Sequence, residues 1–212
     1  MAPIVDIVAA EKHLATHDPV MARVIPTHGP CDLREPAGSP FQALSRSIVF
    51  QQLSGKAAST IFRRFVSLFN PDGTEIAPDD AATLARLFPR PEALLTKSDE
   101  ELRSAGLSRQ KTASLRSLAE HFASGELGTE AFEHWEDEEI ITHLTRVRGV
   151  GRWTAEMFLM FHLRRPDVLP VNDVGINRAI MKLYNLPEMP KPPDILRIGM
   201  IVVPSTATSA VA

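Results

Sequence analysis

Residues 144–155 read Leu-Thr-Arg-Val-Arg-Gly-Val-Gly-Arg-Trp-Thr-Ala, a corner that only a tight turn between two helices accommodates. Gly149 and Gly151 stand two apart, with helical segments on either side. Glycine permits such a hairpin and lets the backbone approach another group closely. A very apolar helix is expected to start at once, from about Arg152 to Leu163. The N–H groups of its first turn lack acceptors within the helix and lie at the positive end of its dipole. A phosphate suits that geometry, and such a contact places a protein on nucleic acid without reading bases. An ordinary helical corner with glycine at the cap accounts for the same residues.

The rest of the chain also reads as helix, so the expected class is all-α. Short helices are expected over Ala9 to Leu14 and Val20 to Ile25, separated by His17-Asp18-Pro19. Ser39 is a natural N-cap and Pro40 a natural first residue for a helix carrying Phe41, Leu44 and Ile48 on one face. Ser54 caps the next, with Ala57, Ala58, Ile61, Phe65 and Leu68 in step. Asn70-Pro71-Asp72-Gly73 is a turn. Helices follow over Asp79 to Leu87, Pro91 to Thr96, Ser98 to Ala105, Ser108 to Phe122, Glu136 to Thr145 and Asn172 to Tyr184. Val168 to Val171 is too short for a strand, and Pro170 interrupts it. Pro187, Pro190, Pro192 and Pro193 break the chain, and residues 201–212, without helical period, are expected to be loosely ordered.

Several classes fall away. A single cysteine, Cys31, rules out an internal disulfide framework, a four-cysteine iron–sulfur cluster and a zinc site of that kind. The first residues carry neither a basic region nor a long apolar run, so no signal peptide is expected. Apolar stretches such as Met157 to Phe161 are too short to cross a bilayer, so no membrane role is expected. The formal net charge of −3 does not advertise nucleic-acid binding. A local basic surface or main-chain amides would have to supply it.

Two further segments carry chemistry. Asp173, in Leu169-Pro-Val-Asn-Asp-Val-Gly-Ile-Asn-Arg178, falls at a helix start. There a carboxylate is stabilised as the anion, as an oxocarbenium-like transition state requires beside it. Capping alone explains it equally simply. In Ser39-Pro-Phe-Gln-Ala-Leu-Ser-Arg-Ser-Ile-Val-Phe-Gln-Gln-Leu-Ser54, two glutamines and a leucine follow a helix just before a capping serine. Such a junction can push a side chain into the gap left by a flipped base, or merely solvate a helix end.

Together these segments resemble the helix-hairpin-helix glycosylase superfamily, in its 3-methyladenine glycosylase II (AlkA-like) branch, from about Pro40 to Gly199. The family hairpin reads roughly Leu-Pro-Gly-Val-Gly-x-x-Thr-Ala. This chain has Val147-Arg-Gly-Val-Gly-Arg-Trp-Thr-Ala155, with Arg148 in place of proline. Gly106-Leu-Ser-Arg-Gln-Lys-Thr-Ala-Ser-Leu115 resembles the branch's internal connector and helix.

The resemblance implies two packed helical subdomains with the active site in the cleft between them, and a domain ending near residue 199. It implies Asp173 as the catalytic residue. At Trp153 lyase members place a lysine that attacks the sugar, so tryptophan implies a monofunctional enzyme with water as nucleophile. The indole would stack on a cationic methylated purine, a gain of ~0.5–2 kcal/mol. Met157 would face the base pocket or the core; Phe158 and Phe161 are expected in the core, and His162 in a structural role. Gln52 and Leu53 match the DNA wedge, and either can insert. Gly149, Val150, Gly151, Arg152 and Thr154 would bind phosphate. Carbonyls of Thr145, Val147 and Val150 would hold a structural sodium or potassium ion, as in some relatives. No other cofactor is implied.

The implied partner is double-stranded DNA with a damaged base, met by a monomer wherever genomic DNA is: nucleoid and cytoplasm in a bacterium, nucleus in a eukaryote. Alternatives are a same-fold glycosylase for uracil, hypoxanthine or an oxidised base, a non-catalytic hairpin module that binds DNA, and a helical interaction domain without DNA affinity. After Gly199 the resemblance to the family's aromatic-rich closing helix is lost. Lower stability than that of relatives is therefore expected.

Overall fold

The computed structural model describes residues 6–33, 38–77 and 80–202, and these form thirteen α-helices and no strand. In chain order they are α1 (Ile7–His17), α2 (Pro19–His28), α3 (Pro40–Phe50), α4 (Gly55–Ser67), α5 (Ala81–Arg86), α6 (Pro91–Leu95) and α7 (Asp99–Ser104). There follow α8 (Arg109–Ala123), α9 (Thr129–His134), α10 (Asp137–Leu144), α11 (Arg152–Phe161), α12 (Val174–Leu183) and α13 (Pro192–Val202). The all-α expectation holds.

Helix starts follow local chemistry. Ser39, Ser54, Ser98 and Ser108 each accept a hydrogen bond from the amide three residues on. This fills one of the donors a helix start leaves without a partner. The Glu101 carboxylate in turn accepts from the Ser98 amide, completing a reciprocal cap. Asp18 does the same work for α2, accepting from Val20 at 2.7 Å.

The chain divides into two compact units, one over residues 36–158 and the other formed from 2–35 and 159–212. The first is organised around α8, which packs against α3, α6 and α7. Leu44, Ile48, Leu94, Leu102, Leu115, Leu118 and Leu144 are fully buried there. A run of aromatic contacts links Phe41 to Phe122, Phe122 to Phe132 and Phe132 to Phe158, with ring centroids 5.2–6.2 Å apart. In the second unit α1 packs against α2 and α13. The Tyr184 hydroxyl donates to Asp18, which is itself 4% exposed.

Three differences from the sequence expectations have physical reasons. Helix α9 is new: its six residues bury one side chain, Phe132, too little for a period to show. Helix α13 starts at Pro192 and Pro193, because proline suits a first helical turn as well as it ends a preceding one. It runs on through Ile201 and Val202; the remainder of the expected loose tail lies outside the described residues. Phe158 is buried as expected, but Phe161 is 57% exposed and does not belong to the core. It is the last residue of α11, past Phe158 and Leu159, the residues through which that end of the helix is buried.

Candidate functional site

Helix α10 closes at Thr145, whose amide donates to Ile141. The turn then tightens, with Val147 donating to Leu144 and Val150 to Val147, both at 3.1 Å. Gly149 has φ +79°, and a Cβ there would collide with the Ser114 hydroxyl on α8. The hairpin thus rests directly on α8, and only glycine fits. Ser117, one turn along α8, accepts from the Arg148 amide at 3.1 Å. The first intrahelical bond of α11 runs from the Ala155 amide to Gly151, so the amides of residues 152–154 form the helix's leading end.

The loop between α3 and α4 lies against the same hairpin. Its tip, Gln52, is exposed and held at φ +57°, a left-handed conformation that non-glycine residues rarely adopt. Leu53 beside it is 39% exposed. Gln51 points the other way: its amide nitrogen donates to the Gly149 carbonyl at 3.0 Å and reaches the Thr154 hydroxyl at 3.4 Å. Lys111 on α8 donates to the carbonyls of Val49 and Gln51 at 2.6 and 2.8 Å. Burial pushes the Lys111 ammonium below its ordinary pKa.

The hairpin residues divide by what their side chains do. Val147, Val150 and Thr154 are buried, and Arg152 is engaged by acids on both sides. Its guanidinium pairs with both carboxylate oxygens of Glu138 and, at 3.0 Å, with Glu156. Glu138 is held below the usual carboxylate range chiefly by that hydrogen bond. The Arg152 side chain is thus already paired and the Thr154 side chain buried. Trp153, in the first turn of α11, is 47% exposed, and Met157, one turn on, is half-buried.

Asp173 belongs to the second unit. It is the N-cap of α12, its carboxylate accepting from the Ile176 amide at 2.8 Å. The preceding turn is closed by the Asp173 amide donating to Pro170 at 2.9 Å, and Asn177 ties α12 back to the Val171 carbonyl. Gly175 leaves the carboxylate room: a Cβ there would sit 3.0 Å from its oxygen. The carboxylate is partly exposed at the positive end of a helix dipole, where negative charge is favoured. Burial lowers His162 below its ordinary pKa, leaving a neutral ring at neutral pH.

The structure gathers the hairpin and the Gln52 loop within one unit, and sequence reasoning missed the residues that join them. In the sequence Gln51 is one of the two glutamines before Ser54 and Lys111 part of the Gly106–Leu115 segment, neither with a role of its own. Their partners lie 98 and 60 residues away in the chain.

Among the described residues the chain is all helix, and its glycine hairpin presents the leading amides of α11, a geometry that suits a phosphate. The sequence model described as HhH-GPD superfamily base excision DNA repair protein matches residues 45–204, reaching slightly beyond Gly199. The chain is 37% identical over 172 residues to DNA-3-methyladenine glycosylase 1 of Schizosaccharomyces pombe, covering 81% of this chain and 69% of that one. The solved structure of that organism's 3-methyladenine DNA glycosylase in complex with abasic DNA superposes with a TM-score of 0.74 at 35% identity, over 92% of this chain and 90% of the other. A DNA-3-methyladenine glycosidase from Bacillus halodurans gives 0.73 at 36% identity, over 91% and 81%. This chain belongs to the HhH-GPD superfamily of base excision DNA repair proteins, and DNA is the macromolecule on which it works.

Proposed function

We propose that this chain is a monofunctional DNA glycosylase that excises alkylated purines of the 3-methyladenine and 7-methylguanine type from duplex DNA. The observation that carries this reading is the exposed indole of Trp153 at the leading end of α11. It offers a face for a cationic purine and no amine to attack the sugar. The glycosylase names of relatives at 37% identity support it.

Main-chain amides of Gly149, Gly151, Arg152 and Thr154 grip a phosphate, whereas the Val150 amide, expected among them, already donates to Val147. Gln52 or Leu53 enters the stack, and the exposed left-handed tip favours Gln52. The nucleotide swings out to stack on Trp153, with Met157 lining the pocket. The C1′–N bond breaks with its electron pair leaving on the base. Positive charge grows on the sugar, and the Asp173 carboxylate stabilises it. Water then adds to C1′ and its proton passes to the carboxylate or to solvent. A base already cationic leaves neutral, so strong acid catalysis is unnecessary.

The carbonyls of Thr145, Val147 and Val150 follow the negative end of α10 and are neutral oxygen donors. They fit a sodium or potassium ion rather than a transition metal. The Val147 oxygen already accepts from Val150, so it offers one lone pair. Such an ion, held by these carbonyls, would supply positive charge at the hairpin that favours a phosphate and would take no part in bond breaking. The protein acts as a monomer, without an organic cofactor, wherever genomic DNA is.

The test is base release from methylated duplex DNA by the parent and by Asp173→Asn. Asparagine keeps the cap, so the variant should fold and bind while excision falls on the order of 10²–10³-fold. Binding without release by either protein would favour a non-catalytic hairpin module. Release of uracil or hypoxanthine alone would move the substrate class.

A further inference from the structure

We propose that Lys111 is a positioning residue for base flipping: it locks the wedge loop to the phosphate-gripping hairpin so that the two act as one rigid piece. This rests on the reading of the Gln52 loop as the wedge.

The carbonyls of Val49 and Gln51 lie at the C-terminal end of α3, where a helix leaves its acceptors without intrahelical partners. The Lys111 ammonium bonds both, at 2.6 and 2.8 Å, and its charge faces the negative end of the α3 dipole. Fixing the Gln51 backbone aims its side chain at Gly149 and Thr154, one on each side of the hairpin's last turn. On α8, Ser114 and Ser117 follow Lys111 at three-residue steps. Ser114 sits under Gly149, and Ser117 accepts from Arg148. One face of α8 therefore carries the loop at one end and the hairpin at the other.

Between these anchors Gln52 is left projecting in its left-handed conformation. A tip pushed into a base stack is pushed back by it. A loop tied only at its chain ends would recoil, whereas this one transmits the load to the hairpin, which is braced on the phosphate. All these contacts lie within the unit over residues 36–158.

The wedge matters only where there is a stack to fill, and that gives the test. Lys111→Met keeps the aliphatic stem and removes the ammonium. Single-turnover excision of methylpurines should slow on the order of 10–100-fold on duplex DNA, with little change on the same oligonucleotide as a single strand. A 2-aminopurine beside the lesion should lose its fluorescence rise. Adding Lys111→Met to Gln52→Ala/Leu53→Ala should cost nothing further, because residues acting through one device do not add. Gln51→Ala cuts the same tie from the other end. It should show the same duplex-selective loss, which keeps the question answerable if Lys111→Met fails to melt cooperatively. Equal slowing on both substrates, full additivity with the wedge variant, or an unchanged duplex rate overturns the assignment. A parent inactive on every methylated substrate overturns the glycosylase reading and this inference with it.

Discussion

Helices α3 and α8 bury Leu44, Ile48, Val49, Leu115 and Leu118 completely, whereas α1, α2 and α12 bury no residue at all. The first unit is held by interlocked apolar side chains. The described residues of the second bury fewer side chains fully, Leu159 and Ile195 among them, and add polar ties: Asp18 with Tyr184, Asp173 with Ile176, Asn177 with Val171. Beside α12 lies an apolar cavity of about 410 Å³ lined by Leu14, Met21, Leu169, Ile176, Tyr184 and Ile195 among others. Close packing resists displacement, and thinly packed regions open at lower free energy. The proposed grip and wedge thus stand on the stiffer support, and the proposed catalytic carboxylate on the softer one.

Truncation in the two units is the strongest way to break this contrast. Leu115→Ala should cost ~2–5 kcal/mol in urea unfolding, because its surroundings cannot collapse onto the hole. Ile176→Ala, already facing a cavity, should cost only about 1 kcal/mol. Equal costs would show that the second unit is as tightly packed as the first.

Gly149→Ala tests how firmly the hairpin sits on α8. A left-handed φ and the Ser114 hydroxyl both oppose the new methyl, and a loss of about 1–3 kcal/mol is expected. Pairing it with Ser114→Gly should recover the steric share and leave the conformational one.

Tyr184→Phe probes the polar ties, with an expected cost of about 1–2 kcal/mol. Its pH behaviour sharpens the point. Burial first, then the hydrogen bond and charge of Asp18, raise the Tyr184 pKa above its ordinary value. The unfolded chain therefore ionises first, near pH ~10. Stability from this group is complete below that pH and is lost as pH rises toward the folded pKa. The alkaline limb of a pH–melting curve should be flatter in the phenylalanine variant.

The smallest effect is expected from Glu138→Gln, which loosens an exposed pair with Arg152 at a cost of about 0–1 kcal/mol. The same change frees a positive charge at the hairpin, so duplex binding in a filter or anisotropy assay should tighten.

Much of this was legible from local pattern. Ser39-Pro40, Ser54, Ser98 and Ser108 mark helix starts because capping is decided within four residues. The glycine corner announced the hairpin for the same reason. What escaped was non-local or too short. Helix α9 carries one buried phenylalanine and no period. Phe161 has the spacing of a core residue and is exposed all the same. The site is similar: Asp173 as a cap and Trp153 at the start of α11 follow from adjacent residues. Lys111 under the wedge loop, Gln51 across to Gly149 and Arg152 in the grasp of Glu138 depend on distant segments meeting.

The pairing of Arg152 with Glu138 and Glu156 has a thermodynamic consequence for DNA binding. A lysine or arginine laid on a phosphate displaces condensed cations from the duplex, and the entropy of their release makes affinity fall steeply with added salt. Arg152 has its charge balanced within the protein, so the proposed hairpin contact is made by backbone dipoles that displace few cations. Its hold on the duplex should persist across ionic strengths that strip a basic groove from DNA. A chain of net charge −3 can then do this work.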